Sequence, residues 1–141
     1  MKQELEQSLI LKYPHIFQDV DKPMQVSCMY WGIAVGDGWF NILSNVCEKI
    51  TEHENTPEIL EKIKNKEYDK VKAQQIKEKF GGLRFYISGG DEKIRSFIDE
   101  VEKSSWKICE ECSQPGKQTK SGWIRTLCEK CADERYKKRP S

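Results

Sequence analysis

The chain has 141 residues, 33% of them charged and 37% hydrophobic, with 24 basic and 23 acidic side chains and a formal net charge of +1. That length suits one domain with a real core or a small domain plus an appended module, and four Trp, five Tyr and five Phe in periodic clusters exclude a disordered chain. No apolar run approaches the ~18 residues that cross a bilayer, and the segment MKQELEQSLILKYP lacks the apolar stretch of a secretory leader, so the expected location is the cytosol.

Residues 3–11 predict a short amphipathic helix, with Leu5, Leu9 and Ile10 on one side and Pro14 ending it. Residues 15–36 have no clear period and contain Pro23, Gly32 and Gly36, so they read mostly as loop, with Met29-Tyr30-Trp31 as a short strand. Residues 38–52 predict a helix, because Trp39, Phe40, Leu43, Val46, Cys47 and Ile50 recur at helical spacing. Asp37 is placed to cap it. Thr56 and Pro57 open a second helix over residues 57–66. Residues 70–88 predict a β-hairpin around Gly81-Gly82. Residues 91–104 follow as a helix that buries Ile94, Phe97, Ile98 and Val101. The fold class is therefore α+β: a small antiparallel sheet packed with helices over residues 1–104, and a cysteine-rich, zinc-ribbon-like module over residues 105–141.

Charge is distributed unevenly. Residues 1–56 carry four basic and eight acidic side chains, whereas residues 105–141 carry nine basic and five acidic. The basic end finishes in Arg135-Tyr136-Lys137-Lys138-Arg139, either a solvated tail or a feature that steers an anionic partner to the C-terminal part.

Cys109-Glu-Glu-Cys112 and Cys128-Glu-Lys-Cys131 have the spacing C-x2-C-x15-C-x2-C. Each pair aims two thiolates at one ion, and two pairs complete the tetrahedral shell that zinc accepts. Pro115-Gly116 and Gly122 allow the intervening loop to return to the metal. One zinc ion is expected, with two disulfides or an iron–sulfur cluster as the competing readings. Cys28 and Cys47 remain over, which argues against a disulfide framework, and both read as buried and inert. A four-thiolate site leaves no open position for water and is structural.

With Gly81-Gly82 as a two-residue turn, Phe80 pairs with Leu83, Lys79 with Arg84, Glu78 with Phe85, Lys77 with Tyr86 and Ile76 with Ile87. One face then carries Ile76, Phe80, Leu83, Phe85 and Ile87, and the other Lys77, Lys79, Arg84, Tyr86 and Ser88. Lys79 opposite Arg84 predicts a nearby anion, either a carboxylate from the acidic N-terminal half or a phosphate. The competing reading is an ordinary solvated face with its long stems lying over the sheet. Glu78 falls on the apolar face and is the anomaly of the hairpin.

Three stretches, Gly36-Asp-Gly-Trp-Phe40, Lys77–Tyr86 (KEKFGGLRFY) and Gly122-Trp-Ile-Arg-Thr-Leu-Cys128, together resemble a family of small uncharacterised proteins of bacteria, prophages and phages. In similar proteins the last cysteine position is often His, which Cys131 replaces with an equally good zinc ligand. The resemblance implies a shared fold, a phage or bacterial origin and a bacterial host cytosol, and supplies no mechanism. It directs attention to Asp37, Trp39, Lys77, Lys79, Arg84, Tyr86, Trp123 and Arg125 as candidate ligand-binding residues. Trp39 and Trp123 each follow a glycine and read either as core or as stacking surfaces.

The leading expectation is a non-enzymatic binder of an anionic, nucleotide-like small molecule, which in a phage setting would sequester a host defence signal. A nucleic-acid-binding or transcription-associated zinc ribbon, and a protein–protein inhibitor of a host enzyme, remain as alternatives. A homo-oligomer is compatible with each. An enzyme is not expected: His15 and His53 lie in unrelated contexts, and no phosphate-binding glycine motif occurs.

Overall fold

The computed structural model describes residues 1–19, 32–120 and 122–137. The strand expected at Met29–Trp31, Cys28 and the end of the basic tail (138–141) lie outside them. The elements are α1 (Gln3–Lys12), β1 (Ile33–Ala34), α2 (Phe40–Glu54), α3 (Pro57–Lys64), β2 (Lys72–Lys79), β3 (Gly82–Ser88), α4 (Glu92–Ser105), β4 (Lys117–Gln118), β5 (Thr126–Leu127) and α5 (Glu129–Lys137). The class is α+β, with one mixed three-stranded sheet and a separate two-stranded hairpin. No helix among the described residues is long and apolar enough to cross a membrane.

The apolar spacing of α2 does what it predicts. Leu43, Val46, Cys47 and Ile50 are buried against Ile76, Leu83 and Phe85 of the sheet and Ile94, Ile98 and Val101 of α4. Burial drives the Cys47 thiol up to about 12, which leaves it protonated and inert. A 3-10 turn, Asp37–Trp39, leads into α2. Asp37 is not the cap its position predicts, because it lies inside that turn and not ahead of it. Its carboxylate instead accepts the Lys2 backbone amide (2.7 Å), at the start of α1. Asp91 does cap α4, accepting the Ile94 amide at 3.0 Å. Burial works to raise its carboxyl, but His53, 2.8 Å away, and the amides of the first turn hold it below the usual range.

The described parts of the 15–36 stretch (15–19 and 32–36) are turn and loop apart from β1, as expected, but they are not merely solvated. Ile16 and Phe17 enter the core, and the Ile16 carbonyl accepts the Ala73 amide. Ile33–Ala34 adds a parallel strand, pairing with Ile76 and Lys77. Two residues are too few for a periodic signal. Parallel pairing also needs a crossover, which α2 and α3 provide.

The hairpin forms, but its turn lies one residue earlier than expected, which displaces every cross-strand pair by two residues. Its turn is Phe80-Gly81, with φ of +54° and +88°, the two positive values a type I′ turn requires. Lys79 pairs with Gly82, Glu78 with Leu83, Lys77 with Arg84, Ile76 with Phe85 and Gln75 with Tyr86. The reason lies at Gly82: a Cβ there would fall 2.5 Å from the Trp106 ring, so this glycine serves packing and not the turn. Phe80 consequently leaves the core face and is 65% exposed.

The outer edge of β3 is covered by α4. The Leu83 amide donates to the Ser105 hydroxyl and the Phe85 amide to the Glu102 carboxylate, both at 2.9 Å. Edge amides that would otherwise face solvent are thereby satisfied.

Glu54, at the end of α2, is buried and accepts both the Tyr68 hydroxyl and the Val71 amide at 2.9 Å. Burial and this carboxylate push the Tyr68 phenol well above its ordinary range. Glu54→Ala would strand two buried donors, so we expect a loss of about 2–4 kcal/mol in urea denaturation. A loss below about 1 kcal/mol, the range of an ordinary surface change, would show that this network is dispensable.

Candidate metal centre and the surface beside it

The Sγ atoms of Cys109, Cys112, Cys128 and Cys131 lie within 4.8 Å of one another. A tetrahedral ion with bonds of ~2.3 Å separates its sulfurs by about 3.8 Å, so the four positions fit one metal ion. Local folding creates each pair. Cys109 donates its amide to the Gln114 carbonyl (2.7 Å) and accepts the Ser113 amide (3.0 Å), forming the first knuckle. The Cys131 amide, in the first turn of α5, points at Cys128 Sγ (3.4 Å) and draws that thiol down to about 7. Between the knuckles, β4 and β5 pair Lys117 with Leu127 and Gln118 with Thr126, which carries the chain away from the cysteines and back. Cys109 is buried and Cys112 exposed; the site opens on a groove of about 960 Å³ lined by Glu111, Gln114, Glu129 and Arg135.

The three distinctive sequence stretches meet at this module. Gly36 and Gly38 press on the backbone at Cys109 and Glu110, so closely that a Cβ on either would overlap it. The Gly38 amide donates to the Glu110 carbonyl (2.7 Å), the Ser113 hydroxyl donates to the Gly38 carbonyl (2.7 Å), and the Trp39 indole donates to the Ile108 carbonyl (2.9 Å). At the hairpin tip, the Thr126 hydroxyl donates to the Gly81 carbonyl (2.6 Å). Glu78 accepts the Gly81 amide (2.7 Å) and the Trp123 indole N–H (3.3 Å). The anomaly of the sequence is thus a clamp between turn and module.

Glu110 lies at the centre of the joint and is buried. One carboxylate oxygen accepts the Gly36 amide (2.9 Å) and the other accepts Arg125 Nε (3.0 Å). Arg125 also reaches Glu111 at 3.2 Å. Burial raises the Glu110 carboxyl, against the pull of the Gly36 amide and Arg125. Nothing in the sequence separates Glu110 from its neighbour Glu111; only the approach of Gly36 does.

The eight candidate ligand residues fall into two groups. Asp37, Trp39 and Arg125 are engaged internally: the first with Lys2, the second in the core with no exposed surface, the third with Glu110 and Glu111. Lys77, Lys79, Arg84 and Tyr86 share the sheet face opposite the core, by the observed register. Trp123 stands beside the hairpin tip, 69% exposed. Arg84 faces Lys77 and not Lys79, and the carboxylate beside it comes from α4 and not from the N-terminal half: Glu102 lies 4.0 Å from Arg84. Lys77 Nζ sits 5.9 Å from the centre of the Tyr86 ring. The histidines lie apart from this face: His53 hydrogen-bonds the Asp91 carboxylate at 2.8 Å and His15 the Thr51 hydroxyl at 3.2 Å.

No family model matches the chain, and neither a curated protein nor a solved structure matches it.

Proposed function

We propose that this is a non-catalytic binding protein, with one structural zinc ion in its four-cysteine site and an anionic, nucleotide-like ligand on its cationic sheet face. Zinc is the ion that four thiolates paired by C-x2-C knuckles suit best, and four ligands leave it no open position for chemistry. Its role is to hold a module too small to fold on core burial alone.

The observation that carries the binding reading is the register of β2 and β3. It aligns Lys72, Lys77, Lys79 and Arg84 on one face around Tyr86, while the only acid of the two strands, Glu78, points to the other. Lys77 and Arg84 are directly opposite, an arrangement that costs energy unless a negative charge offsets it. Glu102 offsets Arg84 in part, at 4.0 Å, and leaves the lysines available. Tyr86, 44% exposed, provides a ring beside them for a base.

Titration calorimetry against mononucleotides, dinucleotides and short oligonucleotides tests this. Binding is expected with at least one class, and Lys77→Glu combined with Lys79→Glu should weaken it about 10-fold or more while leaving the metal content unchanged. No binding to any class, or binding untouched by the double variant, would sink the reading.

A further inference from the structure

At the hairpin tip Lys79 brings the cationic face up to the turn, and on the other side of the strand Glu78 holds Trp123. Phe80 and Trp123 are the largest exposures of aromatic surface in the described residues, at 65% and 69%. They stand on two loops fastened together by the Thr126–Gly81 and Trp123–Glu78 hydrogen bonds. The indole N–H donates to Glu78 at 3.3 Å, which turns one edge of the ring toward the hairpin and leaves most of the rest exposed.

Phe80 occupies its position against its own backbone preference. At φ +54° a phenylalanine is strained where Asn or Gly would sit without cost. The result is a ring presented at the apex of the hairpin, with Lys79 Nζ 5.8 Å from its centre. The electrostatics of the second loop agree. From Ser113 to Leu127 the module has no acidic residue, and it carries Lys117 and Lys120 besides Arg125, whose charge Glu110 and Glu111 already meet. Lys117 and Lys120 are exposed.

We propose that the Phe80 turn and the Trp123 loop form a base-stacking platform for a single strand of nucleic acid, with Lys79, Lys117 and Lys120 on its phosphates. Exposed aromatics on separate, cation-flanked loops suit successive unpaired bases, whose faces are open to them. A duplex keeps those faces stacked internally, and a mononucleotide has one base for two rings. The inference rests on the cationic-face reading and extends its site.

The test uses the zinc-loaded full chain and a labelled 15-mer of dT or rU, by fluorescence anisotropy, with the matching mononucleotide and a duplex as competitors. The 15-mer should bind best and lose affinity steeply with salt. Trp123→Ala and Phe80→Gly should each weaken it roughly 10-fold. Phe80→Gly also relieves the turn, so its thermal midpoint should hold or rise, which separates lost binding from lost folding. If a mononucleotide binds as well as the 15-mer and neither variant matters, the platform is wrong and the sheet-face reading stands. A duplex binding equally well overturns stacking. If no nucleotide or strand binds at low salt, both readings fall.

Discussion

Cys109→Ser should cost the protein its metal and the order of its C-terminal module together. Serine matches the packing of this buried residue but does not supply the thiolate, so the effect isolates the ion. In zinc-finger peptides the apparent binding energy is about 10–16 kcal/mol at neutral pH, and it is folding energy. Elemental analysis should find one zinc per chain in the parent and almost none in the variant. Cys112→Ser, at the exposed ligand, should lose metal as completely despite its lesser packing. A chelator should likewise make the four ligand thiols reactive while Cys47 stays unlabelled. Full zinc occupancy in either variant would show that these cysteines do not form the site.

Gly38→Ala is the second large effect expected, and it needs no metal chemistry. The added methyl would lie 2.6 Å from the Glu110 carbonyl and closer still to that of Cys109. Both are backbone atoms, which cannot swing aside as a side-chain tip would. Accommodation would break the Gly38–Glu110 hydrogen bond and drag Trp39 from the Ile108 carbonyl. We expect a loss of about 3 kcal/mol or more in denaturant midpoint analysis. Asp37→Ala, one residue earlier, removes only contacts with Lys2 and should cost under about 1 kcal/mol. Equal effects at the two positions would mean that the close approach is not what this glycine is for.

What the sequence made legible was whatever obeys a local rule. The repeat of Leu43, Val46, Cys47 and Ile50 located α2, that of Ile94, Phe97, Ile98 and Val101 located α4, and the cysteine spacing named the four residues that converge. What it concealed depends on contacts between distant segments. Gly81-Gly82 reads locally as a turn pair, yet Gly82 answers to Trp106 and the strain passes to Phe80. The glycine before Trp39 reads as room for a stacking surface, yet Gly38, like Gly36, answers to Glu110 and Cys109. Glu78 looks misplaced until Trp123 stands beside it. The cationic character of the hairpin face survived the error in register, because moving the turn by one residue displaces the pairs by two, an even number that leaves Lys77, Lys79, Arg84 and Tyr86 on one side.

The joint also imposes an order of assembly. The Gly36 amide, the Trp39 indole and the Gly81 carbonyl find their partners at Glu110, Ile108 and Thr126, separations of 74, 69 and 45 residues. During synthesis the first hundred residues emerge and collapse before those partners exist, leaving an open seam along one side of a nearly complete core. The seam can close only once the segment that carries Ile108, Glu110 and Thr126 has been made, and the four cysteines lie in that segment. A chain made while metal is scarce would stall at that stage, with its unpaired groups displayed to chaperones and proteases. The supply of metal at the moment of translation would then govern how much protein accumulates.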